Sequence, residues 1–264
     1  MRYLSGLSVL VLLAGCHSKS EPPQAPASSE AAAPISAPAS IAASETPVPV
    51  PTASDPDPTK AASLWLDRQT EPRQKGKYAP RDACRDLPGA RAFREKLAAA
   101  VEARDGDAIA AMASPDIRLG FGGADGRRRF LAALKASDGK AMAELAELLP
   151  LGCAGAEGGG LAIPWYFAQD YGELDSFSAM LVMGTEVPLR ATADAGSAAK
   201  RQLSWDFVTL DKGWHPDKRF QQVTTLGGTK GYVATDKLRS MLDYRLLATR
   251  HGETWMITAF LAGD

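Results

Sequence analysis

From residue 86 onward, hydrophobic positions recur first every three or four residues and later every two, so the chain predicts helices followed by strands. Phe93, Leu97 and Val101 mark one face of a first helix, with Arg91, Arg94, Glu95, Lys96 and Glu102 on its other faces. Asp86-Leu87-Pro88-Gly89 reads as its start, with Asp86 as N-cap and Pro88 in the first turn. Asp105-Gly106 stops it. Asp107 is the expected cap of a short second helix carrying Ile109 and Met112, which Ser114-Pro115 ends. A strand is expected from Ile117 to Phe121, then a glycine turn (Gly122, Gly123, Gly126). Phe130, Leu131 and Leu134 mark a third helix, and Met142, Leu145, Leu148 and Leu149 a fourth.

Past the Gly-rich stretch Gly155 to Gly160 the period falls to two. Leu161 to Ile163, Ser178 to Met183 and Phe207 to Leu210 are strand candidates. Tyr244, Leu246 and Ala248 alternate before a His251-Gly252-Glu253 turn, and Trp255, Ile257, Ala259 and Leu261 alternate after it, which predicts a C-terminal hairpin. Helices first and strands after argue an α+β fold.

The N-terminal sixty residues follow neither period. Arg2 followed by the apolar run Leu4 to Leu13 reads as a signal peptide over residues 1–15, too short to span a bilayer. Residues 17–60 hold ten of the 18 prolines and no aromatic residue, so they are expected to form a disordered Pro/Ala/Ser-rich linker biased toward polyproline II. At about 3.1 Å per residue it would reach on the order of 100 Å. Leu13-Ala14-Gly15-Cys16 resembles the lipobox of bacterial lipoproteins. That resemblance implies diacylglycerol on the Cys16 thiol, cleavage before it, acylation (palmitate or similar) of the new amine and a lipid anchor in the membrane. Two or three buried acyl chains, at about 0.8 kcal/mol per CH2, hold far more firmly than one. His17 after the Cys implies, by the enterobacterial sorting rule, the periplasmic face of the outer membrane, the inner membrane being the alternative. An ordinary secretory signal followed by an accidental Cys is the competing reading.

Charge narrows the partners. Residues 61–264 carry 27 Lys and Arg against 26 Asp and Glu, and the linker carries a formal −3, so neither offers a polyanion-binding surface and nucleic acid is not expected. If Cys16 is lipidated, Cys84 and Cys153 remain as one pair in an oxidising compartment, and a disulfide between them is expected, two buried thiols being the alternative. No Cys-x-x-Cys occurs and the chain has three His, so neither a metal site nor a cofactor is expected.

Candidate chemistry is sparse. Gly120 and Gly122 lack the third glycine of a dinucleotide loop, because position 125 is Asp. Arg127, Arg128 and Arg129 read as a solvated helix start more readily than as a phosphate site. Asp170, Glu173 and Asp175 read as an acidic turn, and Pro164-Trp165-Tyr166-Phe167 as core or rim packing. There is no Gly-x-Ser-x-Gly elbow and no Walker loop. A general base would have to be His215, with Asp211 or Asp217 to orient it. No catalytic residue is assigned, and the chain is not expected to be an enzyme.

Two stretches resemble known folds. Residues Ala98 to Ala108 and Met112 to Gly123, with the C-terminal hairpin, resemble the nuclear transport factor two-like superfamily, which implies a curved sheet wrapped by helices into a cone. Gly184-Thr185-Glu186-Val187-Pro188-Leu189-Arg190, Leu203-Ser204-Trp205-Asp206, Phe207 to Leu210 and Lys230-Gly231-Tyr232-Val233 resemble the bacterial Src-homology-three domain. Pro188 and the loop 191–199, which lacks Pro, depart from that family, as does the insertion Asp211 to Arg219 carrying Trp214. The expected layout is therefore 1–15 signal peptide, 16–60 lipidated Cys and linker, and 61–183 the helical and first-strand part of the cone. Residues 184–239 are then an inserted small barrel-like segment, and 240–264 the hairpin that completes the α+β domain. The whole resembles a type of lipoprotein of sphingomonad alphaproteobacteria, which supplies a layout and no activity. The Src-homology-three-like resemblance implies binding of peptidoglycan or an envelope protein, with Trp205, Trp214 and Tyr232 as the candidate ligand groove; core packing is the rival reading, favoured for Trp205 and evenly matched for Trp214. The alternative is a cone pocket for a small apolar ligand, in a binding protein or an enzyme, lined by Phe93, Leu97, Phe121 and Trp165.

Overall fold

The computed structural model describes residues 75–122 and 126–263, so the expected signal peptide, Cys16 and linker lie outside the described residues. Among the described residues the fold is α+β, with four α-helices, a few 3-10 turns and two open sheets.

Helix α1 (Ala90–Glu102) buries the expected stripe of Phe93, Leu97 and Val101. It starts at Gly89 without a side-chain cap; two turns, Leu87 N–H to Cys84 O and Ala90 N–H to Leu87 O, separate Asp86 from it, so Asp86 is not the N-cap. Helix α2 (Gly106–Ala111) is capped by Asp105, whose Oδ1 accepts the Ala108 N–H at 2.9 Å, and Asp107 sits in the first turn, 2.6 Å from Lys135 Nζ. Strand β1 (Ala113–Arg118) runs straight through Ser114-Pro115, four residues ahead of the expected strand, and leaves Phe121 outside it and 52% exposed. A proline is tolerated there because β1 is an edge strand, where a missing N–H costs no ladder bond. Helices α3 (Gly126–Leu134) and α4 (Lys140–Leu148) follow, then β2 (Ala154–Ala156) and β3 (Gly160–Ile163).

With the C-terminal hairpin, β11 (Arg245–His251) and β12 (Thr254–Leu261), these strands form one sheet in the order β1-β12-β11-β3-β2, parallel only at β1/β12. The hairpin carries one bulge. Leu247 pairs with Ala259 and Ala248 with Ile257, so Thr258 is the extra residue, and the inward alternation slips by one. Phe260 thereby joins Trp255 and Ile257 in the cluster that faces α1, α3 and α4, a place the sequence pattern gave to Ala259 and Leu261.

The second sheet comprises β4 (Ala179–Val182), β5 (Val187–Arg190), β6 (Ala199–Leu203), β7 (Phe207–Leu210), β8 (Phe220–Thr225), β9 (Lys230–Ala234) and β10 (Leu238–Ser240). Its order is β10-β4-β7-β8-β9-β5-β6 and every pairing is antiparallel. One buried cluster takes side chains from all seven strands: Leu238, Val182, Val208, Val223, Val233, Leu189 and Leu203 among them. The sequence reading attached Ala179–Val182 to the N-terminal part, yet its backbone pairs with β7 and β10. Its continuous apolar run follows from burial on both faces. Met180 and Val182 enter the sheet's own cluster, whereas Ala179 and Leu181 face a junction cluster with Tyr78, Trp165, Tyr166, Trp205 and Phe207.

Asp206 sits beside that junction, between two buried aromatics, and desolvation raises its carboxyl above the usual range against the opposing pull of Arg201 and Lys77. A raised folded-state pKa stabilises the fold at acid pH, and this contribution disappears as pH rises through the folded value. Asp206→Asn should therefore raise stability at pH 7, and only slightly, because the half-exposed carboxyl is screened by solvent. Urea midpoints at pH 7 and pH 4 check this, the gain shrinking at the lower pH; a loss at pH 7 would contradict it.

A strap, residues 78–84, crosses from one cluster to the other. Tyr78 and Ala79 pack in the junction, and Cys84 in the helical core. It is tied down by Ala83 N–H to Cys153 O and Cys153 N–H to Arg81 O, both 2.8 Å. Gly152, at φ 81°, is required because a Cβ there would lie 2.4 Å from Arg81 O. Cys84 and Cys153 are placed as a disulfide pair, their Cα atoms 5.6 Å apart. Two residues away, Asp82 Oδ1 meets Arg94 Nη2 of α1 at 2.8 Å, with both side chains almost wholly buried.

Candidate functional site

The seven-stranded sheet carries a cavity of about 400 Å³ between the start of β5 and the turn that follows β9. Val187, Pro188, Phe220 and Ala234 give it apolar walls, and Glu186, Arg190, Arg219, Asp236 and Lys237 surround them with charge. These charges are partly spent on one another. Glu186 lies 3.5 Å from Lys75 Nζ and Asp236 lies 3.1 Å from Lys237 Nζ; Arg190 Nη1 donates to Ser197 O at 2.7 Å, and the Arg219 guanidinium stands 5.7 Å from the Phe220 ring centre. Beside this cavity β9 closes on β5 at one pair, Arg190 with Tyr232. That approach needs Gly231, where a Cβ would come within 2.7 Å of Arg190 O and of the Leu189 side chain.

A second cavity, about 230 Å³, adjoins the first and shares Phe220 with it. Lys212, His215, Lys218, Gln222 and Tyr232 line it. Of the three aromatics expected to form a groove, Tyr232 lines this cavity, and Trp214 is 43% exposed between two of its lining residues, Gly213 and His215. Trp205 is elsewhere. It is 8% exposed in the junction cluster, its N–H donating to Gly184 O and its carbonyl accepting from Tyr78 N–H, and it lines neither cavity. Phe220 has no part in the sequence-based groove, and Pro188, Arg190 and Arg219 enter it only as members of the motif 184–190 and the end of the insertion, not as lining residues. Nothing in the spacing of single residues from β5, β8 and two loops signals that a fold will bring them together.

The cone-pocket residues are not gathered. Phe93 and Leu97 lie in the helical core, Trp165 in the junction cluster, and Phe121 on the surface. A shallow groove of about 380 Å³ does run along α1, lined by Phe93, Met112, Trp255 and Met256 with Lys96 and Glu253 beside them. It contains no buried carboxylate or histidine. Other candidates have structural duties. Asp170 accepts the Gly172 N–H, while Asp175 accepts from the Ser178 hydroxyl and, more weakly, from Phe177 N–H, bonds that hold its carboxyl below the usual range. Arg127 donates to Ala113 O, tying α3 to β1. His215 Nε2 lies 3.1 Å from Lys212 O; since a carbonyl only accepts, the imidazole donates there. Asp211 is turned to the Thr224 hydroxyl and toward Lys230, not to His215. Among the described residues no group of three or more His, Cys, Asp or Glu is placed to hold a metal, and no helix is long and apolar enough to cross a membrane. No match to a protein-family model, a curated protein or a solved structure is found for this chain.

Proposed function

We propose that this chain is a cell-envelope lipoprotein, anchored through Cys16 on the periplasmic face of the outer membrane, whose seven-stranded sheet acts as a non-enzymatic binding module for peptidoglycan or an envelope protein. In this reading the sheet is a small barrel inserted between two parts of a cone-like α+β domain. The cluster drawn from all seven strands supports the barrel, since a sheet that encloses its own core must curl. One observation carries the function: the 400 Å³ cavity is apolar inside and charged outside, which suits a chain segment with flat or aliphatic parts and polar ends. Exposed Trp214 adds a ring for stacking on a sugar or peptide face.

The test is co-sedimentation of the full chain, in detergent micelles, with purified cell-wall sacculi. Saturable pelleting with a Kd below about 100 μM, equivalent to roughly 5.5 kcal/mol, is expected, and Trp214→Ala should weaken it severalfold. Absence of pelleting at that concentration would remove peptidoglycan and leave an envelope protein as the partner to seek.

A further inference from the structure

We infer that the cavity built by the loop 211–219 is a subsite for anionic groups, and that it takes the carboxylates of a peptide whose apolar part occupies the neighbouring groove; this rests on reading the seven-stranded sheet as the binding half. The two cavities differ in chemistry. The larger has Glu186 and Asp236 among its charges. The smaller presents Lys212, Lys218 and His215 with Gln222 and Tyr232, and no Asp or Glu lines it. Neither Lys212 nor Lys218 forms an ion pair among the described residues, whereas the nearby Asp211 is already engaged by Thr224 and Lys230. Two lysines that line a recess with no carboxylate in its lining give it a positive excess, which favours an anion there.

The loop is also built to stay in place. Gln221, on β8, is only 2% exposed, and its amide is used at both ends. Oε1 accepts the His215 N–H at 3.2 Å, and Nε2 donates to His215 O at 2.6 Å and to Thr235 Oγ1 at 2.9 Å. Thr235 then donates through its hydroxyl to Lys218 O and through its N–H to Arg219 O. Buried amide bonding of this kind fixes the backbone on either side of Pro216, so the loop that carries the lysines is held before any ligand arrives and less backbone entropy is lost on binding. Phe220 lines both cavities, so one ligand can run from the apolar recess into the cationic one.

The experiment compares native sacculi with sacculi whose carboxylates have been converted to amides, using the full chain and K212A/K218A. Both lysines are exposed, and an unchanged urea midpoint verifies that the variant is folded. The expected result is at least tenfold weaker binding of the parent chain to amidated sacculi, and the same loss for K212A/K218A on native sacculi. Equal binding to both materials, with the variant unaffected, overturns the subsite while wall binding stands. A carboxylate effect that the variant does not share places the anion elsewhere and overturns it too. If neither material pellets the protein, the wall reading fails and the subsite is judged by anisotropy of fluorescein-labelled Ala-Glu-Ala-Glu-Ala against its Gln counterpart. A tenfold preference for the acidic peptide, lost in K212A/K218A, then supports the subsite, and no preference overturns it.

Discussion

Asp82→Ala should destabilise the folded domain by about 3–5 kcal/mol, the cost of stranding a buried charge. Arg94 is 1% exposed and has Asp82 as its ionic partner; neither its Nε, Nη1 and Nη2 nor Asp82 Oδ1 makes a hydrogen bond among the described residues, so the pair is held by charge. Removing the carboxylate leaves a buried guanidinium on α1, beneath the strap, with nothing to balance it. The strap would then have to open to let water in. The double variant Asp82→Leu/Arg94→Met removes both charges and should recover most of the loss, because a buried pair repays its desolvation only in part. Urea denaturation of the three proteins decides this. A single variant within 1 kcal/mol of the parent would mean that water already reaches Arg94.

This ion pair also marks where sequence reasoning ran out. Arg94 was read as one of the polar residues flanking the α1 stripe, and by period it is; it is buried because the strap is laid over that flank. Helical periodicity reports only the face that meets the main core, and here a second contact came from residues with no regular structure of their own. The same limit explains β1. Ser114-Pro115 read as a break because proline ends helices and central strands, and the exception, an edge strand with only one neighbour, depends on a sheet order that sequence does not contain.

Other features were legible for clear reasons. The α1 stripe and the hairpin turn at Gly252 rest on local chemistry, and the α+β order of elements follows from the change of period at residue 155. Gly231 stands in the motif Lys230-Gly231-Tyr232-Val233, and the missing Cβ is where β9 meets β5. The bulge at Thr258 was not legible, since one inserted residue preserves composition and alters only which of Ala259 and Phe260 points inward. For the candidate site, Trp214 and Tyr232 could be named because exposed-looking aromatics in an insertion and a strand are conspicuous. Trp205 was ambiguous between groove and core, and its place was decided by Tyr78, a residue more than a hundred positions away whose N–H binds its carbonyl. Gln221 carried no signal at all: an amide in an alternating strand reads as a solvent-facing position until the loop it clamps is known.

Cys84→Ala/Cys153→Ala should lower stability by about 4 kcal/mol in the chain-entropy account, given the sequence separation of 69 residues, with smaller losses expected where strain is relieved. Alanine is the suitable replacement because both positions are buried in the helical core, where a serine hydroxyl would add an unpaired polar group. The pair joins the strap to the start of β2, and Asp82 lies between it and the chain that leads toward residue 75, so link and ion pair fasten the same short segment. Two fastenings on one segment should not act independently. Once the link is cut the strap opens more readily, and Asp82→Ala then removes an interaction that is made only part of the time. A double-mutant cycle should therefore give a summed loss smaller than the two single losses added, with a coupling of about 1–2 kcal/mol. Hydrogen exchange should locate the change in residues 78–84 and in Leu151 and Ala154 before it reaches the core of the seven-stranded sheet. If both thiols of the folded protein isolated from cells react with alkylating reagent, the pair is not formed in the cell. Strict additivity would show that the strap is held independently at its two ends.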